Sequence, residues 1–92
     1  MSEATGPASP LNSIVREEAL ELMLVLCSGI VTDEAVAGEI AKMADAFDQR
    51  GSFGEAEALR VVARSHRIRV LEAQGQVAAL EHIHAALYED RT

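Results

Sequence analysis

Tryptophan is absent from this 92-residue chain, and Phe47, Phe53 and Tyr88 are its only aromatic residues. A core of stacked rings is excluded, and so is a nucleic-acid platform, which needs aromatic side chains interleaved with basic ones. The single cysteine, Cys27, excludes an internal disulfide. Its place in an apolar run predicts a buried, unreactive thiol and a reducing compartment. The two prolines, Pro7 and Pro10, both precede the first periodic segment, so nothing downstream interrupts a helix with proline. Lysine and arginine total 8 against 15 acidic residues, for a net charge of −7. Such a balance repels nucleic acid and anionic membrane surfaces. The longest apolar run, Ala19 to Val31, contains Glu21 and is too short to span a bilayer. The first ten residues lack the basic start and apolar stretch of a secretory leader. Together these absences predict a cytoplasmic protein with no nucleic-acid and no membrane partner.

What the chain does have is alanine, leucine and valine. Apolar residues make up 49% of it, and alanine with leucine favours helix. The expected fold class is all-α, with three helices in a single domain over residues 9–92. Residues 1–8 are small and polar and are expected to be a disordered tail. Ser9 and Pro10 open the first predicted helix, which runs to about Ser28, with Gly29 as its stop. Its C-terminal half, from Leu20 to Leu26, is apolar nearly all round, which predicts cover on more than one side. Thr32, followed by Asp33 and Glu34, reads as the cap of a second helix ending at Gly51. Ser52 to Glu55 has the spacing of a capping box and opens a third.

The third predicted helix carries the strongest pattern. Leu59, Ala63, His66, Val70, Ala73, Val77, Leu80, His84 and Leu87 alternate at spacings of four and three. That is a heptad seam held without a phase break through Gly75. From Phe53 to Glu89 such a helix is roughly 55 Å long. A compact chain of this size is only about 32 Å across. A helix protruding that far with Val77, Leu80 and Leu87 bare predicts a two-fold homodimer through the third helix, a six-helix or bundle-like assembly.

Residues 37–70 add a family likeness. Ile40, Met43, Ala44 and Phe47 follow a large–large–small–aromatic pattern; Gly51 and Phe53 mark a turn; Ala56 and Ala63 are small. In these positions the segment resembles a single tetratricopeptide repeat, a helix–turn–helix unit. The resemblance implies an antiparallel helical hairpin and protein–protein binding. The chain departs from it at Arg60, where the family prefers a large apolar residue, and at Ile68, where it often has proline. One copy lacks the concave groove that three or more repeats build.

Two groups of residues are candidates for chemistry. Arg60, Arg64 and Arg67 recur at helical spacing in a ten-residue stretch that holds four arginines and no acid. They form a candidate binding stripe for an anion or an acidic protein partner. Local pairing with Glu57 and Glu72, or with Glu17, Glu18 and Glu21, would account for them equally well. Glu81 and His84 have the Glu-x-x-His spacing of carboxylate-bridged di-iron bundles. A dimer would double that motif, and Glu18 or Glu21 would supply further carboxylates for iron or zinc. No nucleophile with a base and no phosphate loop is present, so no catalytic residue is assigned and no cofactor is required. The leading expectation is a non-enzymatic helical interaction or regulatory module. The alternative is a dimeric metal-binding bundle.

Overall fold

A computed structural model describes residues 10–89, and the tail expected at residues 1–8 lies outside them. The described chain is an antiparallel hairpin of two long helices, α1 (Pro10–Gln49) and α2 (Phe53–Glu89). No strand occurs among the described residues. No helix among them is long and apolar enough to cross a membrane.

The all-α class and the hairpin stand; the count of three helices does not. α1 runs unbroken through Gly29 and Thr32. The reason is a seam like that of α2. Ala19, Met23, Leu26, Ile30, Asp33, Ala37, Ile40, Ala44 and Phe47 alternate at four and three, and every one of them is buried or half-buried. Glycine inside a helix costs about 1 kcal/mol relative to alanine. A seam packed along 40 residues outweighs that cost. Asp33 accordingly sits in the middle of a helix and not at an N-terminus.

The turn follows the local signals. Gly51 has a φ of 79°, the left-handed conformation in which a side chain would be strained. The amide of Ser52 donates to the carbonyl of Phe47 at 2.9 Å, and that of Gly51 to Asp48 at 3.0 Å. These two bonds are a Schellman stop. The first bond of α2 follows at once, from the amide of Ala56 to the carbonyl of Ser52 at 3.1 Å. The start of α2 at Phe53, its end at Glu89 and its continuity through Gly75 agree with the seam read from the sequence.

The long helix does not protrude bare, because α1 runs beside it for its whole length. Val77, Leu80 and Leu87 are half-buried in the hairpin, and Leu80 lines a groove together with Leu22 and Leu26 of α1. A six-helix assembly falls with the third helix. The molecule is a rod, with a radius of gyration of 20.7 Å against about 12 Å for a compact chain of its length. Among the described residues the buried apolar ones are Ala19, Ala37, Ala44, Ala56, Ala63 and Val70, five alanines and a valine. Small residues bring the two helices close together, and they leave little side-chain volume to form a core.

Candidate interaction surface

Each helix has a row of residues on either side of its seam, repeating every seventh position. The contacts show how the rows pair. The Arg60 guanidinium donates to Asp48 and, at 3.0 Å, to Asp45. On the same side, Arg67, Leu71 and Gln74 of α2 line a groove with Glu34 and Gly38 of α1. This is the charged side. Its flanking rows are Ser13, Leu20, Cys27, Glu34, Ala41 and Asp48 on α1, and Phe53, Arg60, Arg67, Gln74 and Glu81 on α2. Leu24, Val31 and Leu71 stand further out on it.

On the opposite side, Leu22, Val25 and Leu26 share a groove with Gln76, Ala79 and Leu80. The flanking rows here are Val15, Leu22, Gly29, Val36, Met43 and Arg50 on α1, and Glu55, Val62, Arg69, Gln76 and Ile83 on α2. Large apolar residues fill six of these eleven places, against two of eleven on the charged side. Val15, Leu22, Met43, Val62 and Ile83 are all exposed, Leu22 to 53%. This is the apolar side.

The arginine stripe is drawn into the hairpin's own contacts. Arg60 is held by Asp48 first and Asp45 second, and these bonds raise the guanidinium above its ordinary pKa. Arg64 lies 3.6 Å from Glu57, with both side chains exposed. Arg67 lines the groove beside Glu34. Arg69 approaches Asp33 at 3.6 Å across the hairpin. Pairing across the two helices was not visible in the sequence, where Glu57 and Glu72 were the nearest acids. Glu17, Glu18 and Glu21 stand toward the open end of the hairpin, whereas Arg60 and Arg64 stand near the turn.

His66 and Asp33 meet inside the seam, Nδ1 to Oδ1 at 2.6 Å. Both are largely covered, with side-chain exposures of 22% and 15%. A polar pair in an apolar seam fixes register, because sliding the helices would strand both groups away from water. In the sequence Asp33 has the local look of a capping residue, which conceals the pair. The four–three alternation of α1, carried through Asp33, was the signal that could have found it.

Antiparallel pairing brings Glu81 and His84 to the same open end of the hairpin as Glu18 and Glu21. No group of three or more His, Cys, Asp or Glu among the described residues is arranged to hold a metal ion. Cys27 is exposed, not buried as its apolar neighbours suggested, because it falls in a flanking row of the charged side. The all-apolar stretch of α1 is likewise only half covered: Leu20, Leu22, Leu24, Val25 and Val31 are open to solvent.

No family model, curated protein sequence or solved structure matches the chain.

Proposed function

We propose that this chain is a non-enzymatic helical interaction module, acting by presenting long apolar helix surfaces to another polypeptide. The supporting observation is the contrast between what is buried and what is bare. Five alanines and a valine are buried, while fifteen large hydrophobic residues are exposed. Large exposed apolar patches mark interaction surfaces, and Leu22 and Val25 together line one apolar groove here. The likeness of residues 37–70 to a tetratricopeptide repeat points to the same class of activity. A lone cysteine and no membrane-crossing helix among the described residues fit a cytoplasmic setting.

The test uses the tagged chain as bait, against untagged chain and against cell extract. The expected result is retention of a polypeptide that Leu22→Glu abolishes while circular dichroism shows the helices intact. Retention of nothing, or retention indifferent to Leu22→Glu and to Met43→Glu, would refute the reading.

A further inference from the structure

We infer that the occupant of the apolar side is a second copy of the same chain, packed antiparallel about a two-fold axis at mid-hairpin to make four helices. This rests on the interaction reading above and names its partner. Helices buried in a four-helix core show apolar residues at both seam positions and at one flanking position of each heptad. Here the flanking rows are richer in large apolar residues on one side, as in Leu22, Met43, Val62 and Ile83, although Arg50, Glu55 and Arg69 stand in them too, while the other side holds Arg60 and Arg67 with Leu20 and Phe53.

The chain exposes 6389 Å², and a folded monomer of its mass exposes about 5200 Å². A rod leaves more surface to cover than a globule of the same mass, and a permanent homodimer buries about 2,000 Å² or more in total. A rod also needs a partner of its own length, and a second copy has that length.

The midpoint of α1 falls between residues 29 and 30, at Gly29, and the midpoint of α2 is Leu71. Nothing lies within 4 Å of where a Cβ on Gly29 would stand. A two-fold axis at that level sets Gly29 against Gly29 of the second copy, where the missing side chain permits close approach. It also sets Arg69 level with Glu72 of the second copy, and Glu72 with Arg69. Both residues line the same groove as Gly29. Arg69, which also faces Asp33 of its own chain at 3.6 Å, and Glu72 are thus complementary to their own copies under this rotation, which favours an identical partner over a foreign one.

The test is made on the purified full chain by light scattering, with cysteine cross-linking as a check that does not depend on a destabilising variant. The wild type is expected at about twice 9.9 kDa across micromolar concentrations. Under mild oxidation, Gly29→Cys in a Cys27→Ser background should form a covalent dimer. The wild-type Cys27, on the charged side, should not. Leu22→Glu should weaken association more than about 100-fold, the scale of a carboxylate forced into an apolar interface. A monomer at high micromolar concentration overturns the inference. So does a dimer that cross-links through Cys27 and not through Gly29→Cys. If the chain is monomeric yet retains a foreign polypeptide through Leu22, only the second-copy inference fails. If nothing is retained either, the interaction reading fails with it.

Discussion

The two sides of the hairpin share a seam and differ in almost everything else. On one, Arg60 reaches across the helices to Asp45 and Asp48, and Arg67 stands beside Glu34. On the other, Leu22, Met43, Val62 and Ile83 stand exposed, and Leu22 and Val25 share a groove with Glu18 and Glu21 at the open end of the hairpin. Charged flanking rows hold two helices in register and tolerate water. Apolar flanking rows add nothing to a lone hairpin and favour cover by a third and fourth helix. The asymmetry shows that the hairpin seam and the outward surface solve different problems. The seam sets which residues of α1 meet which of α2, and on the proposed reading the apolar side sets what the hairpin meets.

The sharpest way to break the contrast is to exchange the characters of the sides. Leu22→Glu combined with Met43→Glu should abolish association and lower the thermal midpoint. Leu24→Glu combined with Leu71→Glu, on the charged side, should leave both nearly unchanged, within about 0.5 kcal/mol. Equal losses from the two pairs would dissolve the distinction. The seam itself is probed by Ala44→Leu or Ala56→Leu. Both alanines are fully buried, and an added isobutyl group there should destabilise by about 1–3 kcal/mol in denaturant unfolding. Gly51→Ala tests the turn. Its φ of 79° predicts a loss of about 1–2 kcal/mol, with helical content preserved. The smallest effect belongs to Arg60→Gln. Its partners are charged and near the surface, so the loss should be slight at low salt and vanish as salt is raised.

The second helix was legible almost to the residue because its seam and its local signals agree. Ser52 and Gly51 mark a start just where the four–three alternation begins. In α1 the two kinds of signal conflict. Gly29 and the run Thr32, Asp33, Glu34 read locally as a stop and a new cap. The seam from Ala19 to Phe47 passes through them unbroken. Packing along a whole helix face prevailed over a local preference of about 1 kcal/mol. The polar Asp33 hid the continuity, since its reason for standing in a seam is His66, which lies 33 residues away in the chain. The arginine stripe was visible as a row, but its partners were not, because Asp45 and Asp48 come alongside Arg60 only once the hairpin closes. The difference between the two sides needed the same closure. Flanking rows can be written down from either helix alone, but which row of α1 shares a side with which row of α2 follows from their antiparallel pairing.

On the proposed reading, a hairpin with so little buried volume reaches its stable form only when its apolar side is covered. Thermal unfolding followed by circular dichroism over a hundredfold range of chain concentration tests that claim most directly. Folding coupled to association makes the midpoint rise with concentration, and the account predicts that rise for the wild type and its loss in Leu22→Glu. A midpoint that stays fixed across the range, with the chain fully helical and monomeric throughout, would contradict it.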